Sequence, residues 1–326
     1  MLVIEAKLKG TQSQYSKLDE AIRTGQFIRN TCLRYWENNK GVTRNDLQKL
    51  CSVLAKNKET PWTKKLNSQA RQAHADRAWS AIQRFYENCR LGKPGKKGYP
   101  KYKKFGRSVE YKNSGWKLSA DRRQITFTDG FKVGTMDLWS SRDLIWYSEK
   151  QISRVRVIRR ADGYHAQFLV NWDRREEHEF QGKMTGIDLG LKEFYTDSDG
   201  NTIENPRYLR KSERRLKMLQ RRVSKKHIKG KKQSNRYHKA RKALALANLK
   251  VSRQREDKAR KDALALVKSN DLIVYEDLKI QNMIKNHHLA KSISDASWYQ
   301  FTLRASIFCQ SSWCYSYCRA ASQYNG

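Results

Sequence analysis

Two carboxylates stand where a metal-dependent reaction would need them. Asp188 lies in Met184-Thr-Gly-Ile-Asp-Leu-Gly190, between Ile187 and Leu189, and Glu276 closes the apolar run Leu272-Ile-Val-Tyr275. Both runs read as strands of the buried type. An uncompensated carboxylate inside or at the end of a buried strand is costly, so it is expected either to pair with a base or to coordinate a metal. Two such groups on neighbouring strands could hold Mg²⁺ ions about 3.5–4 Å apart, the arrangement that cuts phosphodiesters. One ion would activate a water and the other would stabilise the leaving oxygen. Gly186 and Gly190 flank Asp188 and would leave room for a close approach.

The charge of the chain points to the same class of substrate. Among 326 residues, 68 Lys and Arg face 32 Asp and Glu, for a formal net charge of +36 and a pI near 10.1. Such an excess repels itself in the folded state and is compensated by polyanions through phosphate contacts and counterion release. Mere solubility is the alternative explanation. The excess is also localised: between Arg207 and Asp262 there are 23 Lys or Arg and 4 acids. A solvated helical face would mix its signs to gain i,i+4 pairs. This stretch therefore reads as a polyanion groove, with Arg214, Arg215, Arg221, Arg222, Lys225, Lys226, Lys231, Lys232, Arg236 and Arg241 as candidate contacts. A second basic stretch, residues 90–107, holds eight Lys or Arg and no acid. Lys97, Lys101, Lys103 and Lys104 are its candidate phosphate contacts, and Tyr99, Tyr102 and Phe105 offer flat faces for bases or riboses. A solvated basic linker is the competing reading of this loop.

The elements that must position these residues follow from periodicity. Leu2, Ile4, Ala6 and Leu8 alternate as a strand. Residues 12–90 carry apolar residues at helical spacing, such as Ile28, Cys32 and Tyr35, then Ala78, Ile82, Phe85 and Cys89. The aromatics Trp36, Trp79, Phe85 and Tyr86 read as core before they read as base-stacking platforms. Residues 109–180 turn to strands. Their clearest feature is a hairpin, Ser153–Arg160 and Tyr164–Val170 about Ala161-Asp-Gly163, with Val155 and Val157 inward and Arg154, Arg156 and Arg160 outward. Beyond Pro206 come two helices, with Leu209, Leu216, Leu219 and Val223 on one face of the first and a break at 229–235.

No run of about 18 apolar residues appears, so no membrane span is expected. The N-terminus reads as a strand and not as a secretory signal. A basic chain without such a signal is expected in a reducing compartment with its nucleic acid, and disulfides are not expected. Cys309, Cys314 and Cys318 are separated by four and three intervening residues, unlike paired Cys-x-x-Cys knuckles, so a zinc site is not expected either.

The segment Gly186-Ile-Asp-Leu-Gly-Leu-Lys-Glu-Phe194 resembles the first RuvC motif of the TnpB (OrfB) proteins of insertion sequences, and Ile273-Val-Tyr-Glu-Asp-Leu278 resembles the second. Gly98-Tyr-Pro-Lys-Tyr-Lys-Lys-Phe105 is similar to the family's upstream glycine-proline-lysine-phenylalanine segment, and Ser294-Asp-Ala-Ser-Trp-Tyr-Gln-Phe301 to the helix after the second motif. The resemblance implies an α+β multidomain chain. A barrel-like β wedge would comprise 1–11 and 108–180, and a helical recognition insert with its basic loop 12–107. An RNase H-like (RuvC) α/β domain would span 181–305 with the basic helical pair at 207–268, followed by an atypical tail at 306–326. It also implies a guide RNA from the element's end, double-stranded target DNA, Mg²⁺, and Asp188 and Glu276 as two of three catalytic, metal-binding acids.

The third acid does not carry over: after Glu276 the only acids are Asp277 and Asp295. The family's zinc ribbon and last helix have no counterpart in the sequence. Residues 306–326 contain one charged residue, Arg319, in a chain that is 31% charged, and read as out-of-frame sequence after a frameshift. Three functions stay open: an active RNA-guided endonuclease, a nuclease-dead RNA- or DNA-binding remnant or repressor, and an unrelated basic RNA-binding protein. The last explains neither Asp188 nor Glu276.

Overall fold

Leu2, Ile4, Ala6 and Leu8 are all buried, and the residues between them are exposed or half-buried, so the N-terminal alternation becomes strand β1 (Leu2–Lys9). The computed structural model describes residues 1–173, 180–311 and 315–319, with Ser311 and the last five given by backbone alone. Two compact units make up the chain, Met1–Asp173 and Arg174–Gly326.

In the first unit β1 runs into three helices, α1 (Gln12–Asn38), α2 (Arg44–Lys56) and α3 (Ser68–Arg90). Each start is specified locally. Thr11 with Gln14 and Thr43 with Asp46 form capping boxes, and the Asn67 side chain accepts from the amides of Gln69 and Ala70. Ile28, Cys32, Ala78 and Ile82 are buried as their spacing predicts. Tyr35 is not: it is 38% exposed, and the neighbouring Trp36 takes the core position. The indole of Trp36 donates to the Tyr86 hydroxyl at 3.1 Å and meets Phe85 edge-on. Tyr86 itself is exposed, so the expected aromatic core thins toward the end of α3.

Gly25 is required by its neighbour across the helix pair. A Cβ there would lie 2.2 Å from Nε2 of His74 on α3. His74 is buried, and burial holds its imidazole neutral, with the pKa lowered to about 3. Helix propensity alone would have Gly25→Ala stabilise by about 1 kcal/mol. The contact reverses that sign, and a loss of about 1–3 kcal/mol is expected from the forced displacement of the ring. Denaturant unfolding of the substituted chain checks it; a raised midpoint would contradict the packing.

The remaining strands are β2 (Ser108–Tyr111), β3 (Trp116–Leu118), β4 (Gln124–Phe127), β5 (Gly134–Trp139), β6 (Ile152–Arg160) and β7 (Gly163–Val170). With β1 they form an antiparallel sheet in the order β2-β6-β7-β1-β5-β4-β3. The two end strands share no ladder among the described residues, so the sheet is open and the barrel-like closure expected of it is absent. One end, β3, is three residues long and pairs with β4 alone. The other, β2, packs beneath α3, which shields an edge that would otherwise invite further pairing. The β6–β7 hairpin is as read, with Val155 and Val157 buried.

The second unit opens with β8 (Met184–Asp188), β9 (Glu193–Asp197) and β10 (Thr202–Glu204), followed by α4 (Tyr208–Ser224) and α5 (Asn235–Lys268). Then come β11 (Leu272–Glu276), α6 (Ile280–Met283), α7 (Ala290–Ala296), α8 (Trp298–Ser311) and β12 (Tyr315–Arg319). The sheet order is β10-β9-β8-β11-β12, with β8, β11 and β12 mutually parallel and the other pairs antiparallel. Its core joins Ile187, Phe194 and Ile273 to Ala263 and Val267 of α5 and to Phe301 and Ala305 of α8. Phe301 is fully buried, edge-on to Phe194 at 5.1 Å and stacked on Tyr195 at 5.6 Å.

Two expectations about this end of the chain do not hold. The helix anticipated over Ser294–Phe301 is two helices, parted at Ser297, whose φ is +60°. The boundary drawn at 305/306 also has no counterpart. Residues 306–311 continue α8 and bury Phe308 and Cys309, and Tyr315–Arg319 adds the fifth strand in register with β11, Leu272 opposite Tyr315 through Glu276 opposite Arg319.

Candidate metal centre and nucleic-acid interface

The register of β8 on β11 brings the two acids together. Asp271, buried just before β11, accepts hydrogen bonds from the amides of Gln181 and Lys183 at 3.0 and 2.9 Å, and its own amide donates to the Lys183 carbonyl at 2.8 Å. This clamp aligns Met184 with Leu272, and the ladder runs to Ile187 opposite Tyr275. The next residues are Asp188 and Glu276, at the carboxyl ends of parallel strands that lie about 4.8 Å apart. From β8 the chain turns to β9 on one side and later returns as β11 on the other. The gap between β8 and β11 is therefore the topological switch point of the sheet, where open sheets of this kind bind ligands beyond their strand ends.

Burial is not what sets these carboxylates apart. Both are exposed, while Ile187 and Leu189 on either side of Asp188 are buried, as strand alternation requires. The desolvation cost inferred from their apolar flanks does not arise. Neither carboxylate has a hydrogen bond or ion pair among the described residues, which leaves two oxygen donors open to a hard cation. No group of three or more His, Cys, Asp or Glu that could hold a metal occurs among the described residues. The flanking glycines serve the backbone differently. A Cβ on Gly186 would meet nothing within 4 Å, whereas one on Gly190 would sit 2.9 Å from the Glu193 carbonyl, so Gly190 permits the tight β8–β9 turn.

Helices α4 and α5 pack on each other through Leu219, Val223 and Val251. Their charges separate along the pair. Glu213 pairs with Lys217 and Lys291, Glu256 with Arg304, Asp257 with Lys261, and Asp262 with Lys258. No acid lies between Glu213 and Glu256. Arg214, Arg215, Arg221, Arg222, Lys225, Lys226, Lys231, Lys232, Arg236 and Arg241 all fall in this acid-free span and all are exposed. Arg214, Arg221, Arg222 and Lys225 line a groove of ≈ 1080 Å³ along α4.

The root of both helices is held by a residue whose role the sequence did not reveal. Arg207, before α4, has a left-handed backbone and gives no side-chain cap. Asp295, buried on α7, supplies one: it accepts from the amides of Leu209 at 2.9 Å and Arg210 at 3.1 Å. The same carboxylate takes Nε and Nη2 of Arg255 on α5 at 3.0 and 2.9 Å. A cap donated from a distant helix leaves no local signature, which is why pattern reading passes over it.

The family profile OrfB_IS605, described as a probable transposase, matches residues 167–287, the span from the end of β7 to just past α6. A Streptomyces pristinaespiralis protein named as an RNA-guided DNA endonuclease is 40% identical over 113 residues, 35% of this chain and 27% of that protein. InsQ of Escherichia coli K12, named likewise, is 25% identical over 258 residues, 74% of this chain and 60% of InsQ. The cryo-EM structure of a Cas12f1–sgRNA–target DNA complex has the same fold, with a TM-score of 0.54 at 12% identity over 95% of this chain and 74% of that one. These likenesses support the resemblance to the TnpB (OrfB) family drawn from the sequence motifs. It spans less than two thirds of the length of the two curated relatives it matches.

The basic loop of the first unit is no free linker. Gln26 and Asn30 of α1 donate to the Lys103 carbonyl at 2.6 and 2.9 Å, and Arg29 donates to that of Lys101 at 3.2 Å. Lys101, Lys103 and Lys104 remain exposed above this anchored backbone, while Lys97 is half-buried and bonds the Lys93 carbonyl. The proposed base-stacking faces fare unequally. Tyr99 and Tyr102 both donate their hydroxyls to Glu37, and Tyr99 also packs on Trp36 and Phe85. Phe105 is 77% exposed and keeps both faces open.

Proposed function

We propose that the chain is a transposon-associated, RNA-guided DNA-binding protein of an endonuclease lineage. The observation that carries this reading is the pair Asp188 and Glu276 at the switch point of a sheet whose own crossover is a cationic helix pair without an acid from 214 to 255. The relatives' names and the guide- and target-bound Cas12f1 complex support the same partners here: a guide RNA and a double-stranded target. In such a system base pairing reads the sequence and the protein needs charge rather than base contacts, which suits the exposed residues of α4 and α5. The setting is the bacterial nucleoid; no described helix is long and apolar enough to cross a membrane.

Asp188 and Glu276 would be the ligands of a divalent ion such as Mg²⁺, which when bound would supply Lewis-acid activation of water and of the leaving oxygen. Binding is the part of this reading that the exposed cations carry directly. The remaining acids beyond Glu276 are engaged elsewhere, Asp277 with Lys279 and Asp295 with Arg255 and the start of α4. The test is to incubate the chain with guide RNA, Mg²⁺ and a matched duplex. Retarded mobility without cleavage is expected. Cleavage that disappears in Asp188→Ala would replace this reading with that of an active nuclease.

A further inference from the structure

In the first unit one carboxylate gathers three guanidiniums. Glu110, on the edge strand β2, is buried, and its neighbour in register on β6 is Arg156. Nη2 and Nε of Arg156 reach Oε2 of Glu110 at 2.7 and 3.0 Å, and Nη1 of Arg154 reaches Oε1 at 3.2 Å. From above, Nη2 of Arg77 on α3 reaches Oε2 at 2.8 Å. Burial works to raise the Glu110 pKa, and Arg77 and Arg156 overcome it, holding it down to about 2.

One guanidinium would neutralise one carboxylate. The cluster carries two more, and their mutual repulsion is felt: Arg156 works with burial to lower the Arg77 pKa. The surplus continues onto α1 and the anchored loop, where Arg29 and Lys103 are also lowered, by burial first and then by neighbouring cations that include Arg77. An arrangement that accumulates like charge around a single buried anion is incomplete until a second anion arrives. Arg154 and Arg156 are the members able to meet one, since their side chains are 49% and 48% exposed against 25% for Arg77. Glu110 takes the Nε–Nη2 edge of Arg156 and a single Nη1 of Arg154, which leaves N–H groups on both half-exposed guanidiniums for the bidentate contact arginine makes with phosphate.

We propose that Glu110 is a positioning residue that holds Arg154 and Arg156 as a paired fork for the phosphates of a nucleic-acid backbone. The inference rests on the nucleic-acid-binding function proposed above and locates one contact of that partner on the first unit.

The test measures binding of the full chain to three labelled probes of one sequence, single-stranded RNA, duplex RNA and duplex DNA, over a series of KCl concentrations. Arg154→Gln/Arg156→Gln leaves Arg77 on Glu110, so the buried carboxylate stays paired. Its salt slope should be shallower by about 1.4–1.8 on the probe that occupies the fork, from roughly 0.7 to 0.9 per phosphate lost. Lys56→Gln/Lys58→Gln, at the exposed end of α2, removes equal charge and should change the slope on that probe by much less. Arg156→Lys keeps the charge and loses the fork, so affinity should drop several-fold at an unchanged slope. An unaltered slope in the double arginine variant overturns the proposal, as does an equal loss in the lysine control or an undiminished affinity in Arg156→Lys. If the unsubstituted chain binds none of the probes, the proposed function falls as well, which separates the two failures.

Discussion

Asp295→Ala is expected to destabilise the second unit by about 3–5 kcal/mol, the usual cost of removing one partner from a buried ion pair. Two losses coincide. Arg255 keeps its charge in a site where its side chain is only 19% exposed, and the first amides of α4 lose the acceptor that no local side chain replaces. A missing cap alone would cost about 1 kcal/mol. Asp295→Asn separates the contributions, because the amide oxygen can still accept from Leu209 and Arg210 while the charge opposite Arg255 is gone. The urea midpoint should fall furthest for Ala and less for Asn. Hydrogen exchange at the Leu209 and Arg210 amides should accelerate only in Asp295→Ala. Equal midpoints for Asp295→Ala and the parent chain would refute the assignment.

The second large effect is on binding. Replacing Arg214, Arg215, Arg221, Arg222, Lys225 and Lys226 by Gln removes six exposed cations from α4 and its C-terminal end without removing helix-forming residues. If three to six of them touch phosphates, the slope of log K against log salt should become shallower by about 3–5 on duplex DNA. Affinity at moderate salt should then fall by about three orders of magnitude or more. Circular dichroism should be unchanged, since the seam of Leu219, Val223 and Val251 is untouched. Binding that ignores both salt and these substitutions would remove α4 from the interface.

How much of this was legible before the fold was known depends on the range of each interaction. The alternation of β1 and the Asp-Gly hairpin of β6 and β7 are decided by neighbours in sequence, and they stand as read. Asp188 and Glu276 were legible as strand-end acids, but their exposure was not. Apolar flanks suggest a buried strand without saying which face its alternate residues take or where the strand ends. Tyr35 was assigned to the core on spacing, yet the stripe passes through Trp36, because a one-residue shift on a helix is decided by the packing partner.

Glu110 and Asp295 escaped for a different reason. Each is a single acid in an unremarkable context whose importance comes from cations 33 to 46 and 40 residues away. Composition set residues 306–326 apart by their low charge, without revealing that Phe308 and Cys309 are buried on a helix begun at Trp298. The barrel-like closure came from resemblance alone, and closure depends on whether two distant end strands meet, which no local pattern reports.

The central strand of the first sheet also dictates an order of events during synthesis. β1 is made first, yet its longer ladder is with β7, Leu2 opposite Val170 through Lys7 opposite His165. At about 5–20 residues per second, roughly 10–30 s pass between the appearance of the two partners. During that interval α1, α2 and α3 can form from local contacts, while β1 remains an apolar strand until β5 arrives to pair with its end. Sheets closed by such distant pairings fold slowly. The nascent chain is therefore most vulnerable to aggregation through its first nine residues, and a chaperone that shields them would raise yield more than any change at the site itself.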